Sequence, residues 1–290
     1  MAIREWRASG LESLALATEL LQRCRLADAD AGLWEAADLQ WWWRTPRRSD
    51  STDQLFWLDD EGPVAAVVLT DWSDGWGCDP IVLPGLATVS HSTIWARAID
   101  AIDALGLETV DVLARDDDSE LQRLLNDAGF VATEDTDGTT WMDAAERPDA
   151  TPLPEGFVLV DRTAATTPHP MRRRNGEAVE SRLRQCSLYD PALDLAVEAG
   201  DGRTAGYALF WLDPVTKVGL VEPMRVEDAF QRRGLARALL TAGLERLAER
   251  GARRLKVSYV TDAARSLYGG AGFRVTGTST TYRRTSPPRS

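Results

Sequence analysis

Two dipeptides, Gly129-Phe130 and Gly272-Phe273, stand 143 positions apart at matching points of similar runs, "LLNDAGFVATEDTDGTTWM" and "LYGGAGFRVTGTSTTYRR". "PVAAVVLTDW" and "RTAGYALFWL" repeat at a similar offset, each an apolar run after a glycine-containing turn. Two matches at nearly one spacing point to duplication of a unit of about 140 residues, an ordinary domain size. The fold must therefore be one that the sequence can adopt twice. Between the copies, "AAERPDATPLPEG" (Ala144 to Gly156) has three prolines and little apolar periodicity, and reads as a linker. The expected division is residues 1–147, a linker at 148–156, and residues 157–285.

The second copy shows its elements more clearly. "GFVLVDR" reads as a first strand and "GEAVESRLRQC" as helical; "LDLAVEA" and "AGYALFWLD" are strands joined by a turn at Gly200-Asp201-Gly202. "VGLVEPMRV" is a fourth strand. "LARALLTAGLERLAER" then sets Leu235, Leu239, Leu240, Leu244 and Leu247 on one side of a helix, which Gly251 stops. "RRLKVSYV" alternates as a fifth strand, "DAARSLYGGAG" is a short helix capped by Thr261 or Asp262, and "FRVTGTSTTYRR" closes the sheet. Strands and helices in this order imply a central sheet with helices on its faces, an α/β (α+β) class.

The long helix begins just after Gly234. A helix N-terminus offers unpaired N–H groups and a positive dipole end, which together bind phosphate. Gly234 lets backbone approach a bulky anion, Ala236 keeps the first turn free of bulk, and Arg232 and Arg233 add permanent positive charge. Alone, this is equally a helix start that needs a glycine. In context, Gln231-Arg232-Arg233-Gly234-Leu235-Ala236 fits the Q/R-x-x-G-x-G/A signature, and Ala264, Leu267, Tyr268, Gly272 and Phe273 follow at the usual distance. Residues 156–285 thus resemble the GNAT acetyltransferase superfamily.

The resemblance implies two tandem GNAT-like domains, each a mixed, mostly antiparallel central sheet flanked by helices. It further implies that acetyl-coenzyme A is bound as cosubstrate, its pyrophosphate on residues Gln231 to Ala236 and its pantetheine in a gap between the fourth and fifth strands, with contacts from Met224, Arg225 and Val226. Pro223 supports that gap independently, because a proline inside a strand marks an edge or a bulge. Acetyl transfer to an amine needs a base for the amine, a donor for the carbonyl oxygen and an acid for the departing thiolate. Tyr268 resembles the family's general acid, and a backbone N–H near Val226 its oxyanion donor. Glu222, an acid in an otherwise apolar strand, is the candidate base, directly or through water. Thr261 stands where many members have Asn and retains capping capacity. The run Pro168 to Pro191, with Arg172, Arg173 and Arg174, falls where the family places helices that cover the acceptor.

The first copy departs from this pattern. "LPGLATVSHSTIWARAID" has Gly85 but no arginine at the signature, and Leu125 stands where the second copy has Tyr268. Residues 1–150 hold 11 basic and 30 acidic groups, net −19, whereas residues 151–290 hold 22 and 15, net +7. The second half suits a polyanion and the first a cation, unless both are solvated surface charge. Ten of the eleven tryptophans lie in the first copy, as packing residues or as an acceptor lining. No strongly basic domain suggests nucleic acid. No run is long and apolar enough for a membrane span, and no apolar signal core is present, so a cytoplasmic protein is expected. Cys24, Cys78 and Cys186 read as reduced core thiols; the two histidines, far apart, argue against a metal site. Arginine far outnumbers lysine, as in GC-rich bacterial genomes. The expected protein is an acetyl-coenzyme A-dependent N-acetyltransferase acting on a small-molecule amine through its second copy. Mycothiol synthase shares the tandem arrangement, although no residue here specifies that acceptor. The alternative is a non-enzymatic acyl-coenzyme A sensor. Oligomeric state is not legible.

Overall fold

The computed structural model describes residues 3–72 and 74–285. The first copy runs β1 (Arg4–Ala8), α1 (Gly10–Ala27), α2 (Ala36–Trp42), β2 (Gln54–Asp59), β3 (Gly62–Asp71), β4 (Trp76–Val82), α3 (His91–Leu105), β5 (Thr109–Arg115), α4 (Ser119–Asp127) and β6 (Val131–Asp143). The second runs β7 (Phe157–Asp161), α5 (Arg172–Asn175), α6 (Val179–Leu183), β8 (Asp194–Ala199), β9 (Thr204–Leu212), β10 (Val218–Val226), α7 (Leu235–Glu249), β11 (Arg254–Tyr259), α8 (Asp262–Gly270) and β12 (Arg274–Thr285).

These elements form two compact units. The first comprises Met1–Leu39, Pro46–Asp137 and Gly277–Ser290; the second comprises Gln40–Thr45 and Gly138–Thr276. In the first unit the strand order is β1-β2-β3-β4-β5-β12, antiparallel except for the β4–β5 pair. In the second it is β6-β11-β10-β9-β8-β7, antiparallel except for β10–β11. The two orders are the same pattern, as the repeat requires.

The closing strands are exchanged. The sequence assigns β12 to its own copy, but Ser279–Thr285 pair with Asp111 and its neighbours on β5 in the first unit. The second sheet is closed instead by Gly138–Asp143 of β6 against β11. The compact units thus do not divide at the 148–156 linker.

Each core follows the expected periodicities. In the second unit Leu235, Leu239, Leu240, Leu244 and Leu247 are all buried and pack α7 on β9, β10 and β8. Gly243 permits this closeness, because a Cβ there would overlap the Phe210 ring. In the first unit Ile94, Ala98 and Ile102 of α3 pack with Val64, Val67, Leu69, Phe130 and the exchanged Tyr282. The three cysteines are buried and unbridged. Among the described residues no helix is long and apolar enough to cross a membrane.

Candidate functional site

The site in the second unit begins with a broken ladder. β10 pairs with β11 only over Val218–Leu220, opposite Arg254–Lys256. Beyond that, β10 stays with β9 as far as Val226, opposite Gly206, while β11 stays with β6. The β9 register shifts by one residue between Val221 and Met224, so Glu222 and Pro223 form a bulge. Pro223 has no N–H to give a ladder, and the Glu222 carbonyl accepts from Trp211 Nε1 at 2.7 Å. The bulge expected from Pro223 is present, and a gap opens between β10 and β11 at that point.

The chain leaves β10 at Val226 and enters α7 through the signature loop. Gly234 is the N-cap residue with φ of 81°, a left-handed conformation that suits glycine, and no side chain caps the helix. Ala238 makes the first helical bond, to the Gly234 carbonyl, so the N–H groups ahead of it face outward uncapped. Arg232, itself at φ of 63°, and Arg233 are exposed. Gln231 is tied down, its amide donating to the Val226 carbonyl at 3.3 Å and to Asp228 at 3.1 Å. The Leu235 side chain points into the core, so only its backbone can face a ligand; Ala236 is half-buried. Arg225 pairs with Asp228 at 3.4 Å, and Met224 and Val226 pack at the core's margin.

Tyr268 sits on α8, 7% exposed, with its ring edge-on to Phe273. The Thr261 hydroxyl caps α8 by accepting from Ala264 N at 3.2 Å, as its sequence position suggested. Arg237 of α7 clasps the other end, donating to the Gly270 carbonyl at 3.0 Å. Burial, and then the nearby Glu222 carboxylate, push the Tyr268 phenol up to about 12. Glu222 and Tyr268, 46 residues apart in sequence, therefore share one electrostatic environment.

The segment 168–191 is held from both sides. Met171 N donates to His169 Nδ1 at 3.2 Å, which leaves the proton on Nε2 to donate to Asp194 of β8 at 2.7 Å. Tyr189 donates to the same Asp194 oxygen. Arg173 and Arg174 both reach Glu227, immediately after β10, at 3.1 Å, and Arg172 pairs with Glu177. The other support comes from the first copy. Gln40 bonds Ser187 and the Leu188 N–H, Arg182 stacks 3.5 Å from the Trp43 ring, and Trp43 Nε1 donates to Gln185. Nothing local in "LQWWWRTP" announces this partner, which is why sequence reasoning left those tryptophans unplaced.

In the first unit β4 and β5 likewise pair only at Trp76 and Gly77 before diverging. The next helix, α3, is capped by Ser90, whose hydroxyl accepts from Thr93 N at 3.1 Å. The counterpart of Gly234 is thus Ser90 rather than Gly85, and here a side chain already occupies an end-of-helix N–H. Asp79-Pro80 lies 143 positions before Glu222-Pro223, the offset that also relates Leu125 to Tyr268. Sequence reasoning missed Asp79, although that offset identifies it. β4 passes through the dipeptide without a bulge, pairing Asp79 with Val68 and Pro80 with Val67.

Comparison with known proteins gives the following. A model of the acetyltransferase (GNAT) family matches residues 163–273. A mycothiol acetyltransferase of Clavibacter michiganensis subsp. michiganensis is 32% identical over 149 residues, 46% of this chain and 47% of the relative. One of Clavibacter sepedonicus is 34% identical over 129 residues, 44% of this chain and 41% of the relative. The chain spans about half the length of the curated relatives it matches. A tandem GNAT protein from the clavulanic acid biosynthesis pathway superposes over 100% of both chains with a TM-score of 0.71 at 14% identity. A GCN5-related N-acetyltransferase from Sphaerobacter thermophilus covers 98% of this chain and 95% of its own, with a TM-score of 0.64 at 19% identity. Residues 163–273 are thus similar to the acetyltransferase (GNAT) family, and the whole chain shares the fold of the tandem GNAT protein.

Proposed function

We propose that the protein is an N-acetyltransferase that moves an acetyl group from acetyl-coenzyme A to a small-molecule amine by direct attack, using the second unit alone. The observation that carries this reading is the coincidence of three features along one path. A strand gap opens at the Glu222-Pro223 bulge, an uncapped helix N-terminus follows at Gly234, and Tyr268 lies within the field of Glu222.

The residues fit the coenzyme. The N–H groups at Gly234, Leu235 and Ala236, with Arg232 and Arg233, suit a pyrophosphate; Gln231 braces the loop. Met224, Arg225 and Val226 lie on β10 beyond its last pair with β11, and their backbone would hold the pantetheine arm there. The coenzyme supplies an acetyl thioester. Glu222 takes the proton from the incoming amine, directly or through one water. The Val226 N–H meets the carbonyl oxygen as charge develops. Tyr268, held neutral well above physiological pH, gives its proton to the thiolate. The segment around α5 and α6, fixed by Glu227, Asp194 and the Gln40–Thr45 segment, covers the acceptor.

The names of the curated relatives, both mycothiol acetyltransferases, support acetyl transfer to a small-molecule acceptor. The test is a screen of amines with acetyl-coenzyme A, following free thiol. Turnover of any amine eliminates a purely sensing role; coenzyme binding without turnover across the screen favours the sensor.

A further inference from the structure

The gap between β4 and β5 in the first unit holds a cavity of about 560 Å³. That lies within the range of small-molecule sites. Its walls are mainly apolar and aromatic, with Trp34, Ile81, Ile94, Trp95 and Leu113 among them, and the buried charge-bearing groups in that lining are Arg25 and Asp79. Asp79 is 7% exposed, and its Oδ1 accepts from Trp34 Nε1 at 2.9 Å.

One neutral donor does not offset the loss of water around a carboxylate. Desolvation accordingly pushes Asp79 up to about 7. The two arginines that border the cavity are already neutralised. Arg25 is bound to Glu35 and Arg115 to Asp117, each at 2.6 Å. Further carboxylates, Asp28, Asp30 and Asp118, stand around the opening. Asp79 therefore offers a carboxylate held by a neutral indole donor inside an apolar enclosure.

What the unit retains and what it lacks narrow the ligand. Asp79 is the counterpart of Glu222 by the 143-residue offset, just past the last β4–β5 pair at Gly77, although β4 has no bulge there. The counterpart of Tyr268 is Leu125, and Ser90 caps the helix that in the second unit is open. Residues 83–90, "LPGLATVS", contain no basic group for a pyrophosphate. The carboxylate that meets an amine is kept, whereas the parts that hold coenzyme and protonate a thiolate are missing.

We propose that this cavity is a binding site for a small primary amine with an apolar body, its ammonium group meeting the Asp79 carboxylate and its body lying against Trp34 and Ile94. The site binds without transferring. Its existence does not depend on the activity of the second unit, although the analogy with Glu222 draws on that reading.

The test uses the full-length chain, saturated with coenzyme A so that no acetyl group is available. Calorimetry compares 2-phenylethylamine, cyclohexylamine and hexylamine with the alcohols of the same skeletons. The expected result is saturable binding of at least one amine, about tenfold or more tighter than its alcohol, the worth of one charged hydrogen bond. Asp79→Asn removes that preference and leaves coenzyme A affinity unchanged, whereas Glu222→Gln leaves the preference intact. The wild-type comparison of amine with alcohol needs no variant to fold. The proposal is overturned if no amine binds saturably, if alcohols match amines, or if coenzyme A displaces the amine. It is also overturned if Glu222→Gln, and not Asp79→Asn, abolishes the preference. A failed amine-acetylation screen with intact Asp79-dependent binding would count against the second unit's chemistry alone.

Discussion

Glu222, on the bulge of β10, and Tyr268, on α8, are coupled: the carboxylate's field adds to burial in holding the phenol in its neutral form. Burial and the Glu222 charge thus act in the same direction on the phenol. Tyr268→Phe is expected to lower turnover about 100- to 10,000-fold with little change in acetyl-coenzyme A affinity. Single-turnover kinetics alongside calorimetry check this. A turnover equal to wild type where chemistry limits the rate removes Tyr268 from the mechanism. Because the phenol is held up to about 12, no alkaline loss of activity below about pH 11 should trace to it, and Tyr268→Phe should leave such a limb in place.

Gly234→Glu is expected to abolish coenzyme binding. A Cβ at Gly234 meets no protein atom within 4 Å, so the bulk projects outward, where the phosphates would lie, and the added charge repels them. The backbone there has φ of 81°, so any side chain also costs about 1–2 kcal/mol of strain. Gly234→Ala measures that strain alone. Equal affinities of a folded Gly234→Glu and the wild type would reject the loop assignment.

One acetyl-coenzyme A should bind per chain. In the first unit Ser90 occupies the helix end, arginines are absent from 83–90, and the half carries net −19 against +7 in the second. Titration on the whole chain decides it; two equivalent sites would show that the first unit has kept its coenzyme machinery.

A chain ending at Thr276 should lose the stability of its first unit, although it keeps the whole of the first copy, residues 1–147. It lacks Ser279–Thr285 beside β5, the Tyr282 ring in the core, and the Arg284–Asp103 ion pair. A drop of at least about 10 °C in the first unit's thermal transition is expected, since losing one large core residue alone costs about 3–5 kcal/mol. An unchanged transition by scanning calorimetry would mean that β12 is dispensable to that sheet. For the same reason, residues 1–147 are a poor choice of isolated fragment.

Asp79→Asn should raise stability above neutral pH. The Asp79 carboxyl titrates near its ordinary value when unfolded and is pushed up to about 7 when folded. Ionisation is thus easier in the unfolded chain, and native stability is lost as pH rises from about 4 to about 7. Asparagine keeps an acceptor for Trp34 without the charge. The gain in Tm should be near zero at pH 4, grow through that window and level off above it; a gain independent of pH would contradict a buried, ionisable Asp79.

Much of this was legible in the sequence because it is local. The 143-residue repeat, the leucine face of α7, the glycine and arginines at its start, the Thr261 cap and the bulge at Pro223 all follow from the chemistry of residues near one another in the chain. The pairing of closing strands did not follow. "GTTWMD" and "STTYRRT" have the same alternation and similar composition, so each reads as the last strand of a sheet without stating which sheet. Pairing is a long-range choice made by packing, and only the tertiary structure settled it. The same holds for Gln40 and Trp43 against the segment 182–188, and for the influence of the Glu222 charge on Tyr268. Periodicity fixes which face a side chain takes; what lies opposite that face is decided by segments far away in the chain, whose arrival no local spacing records.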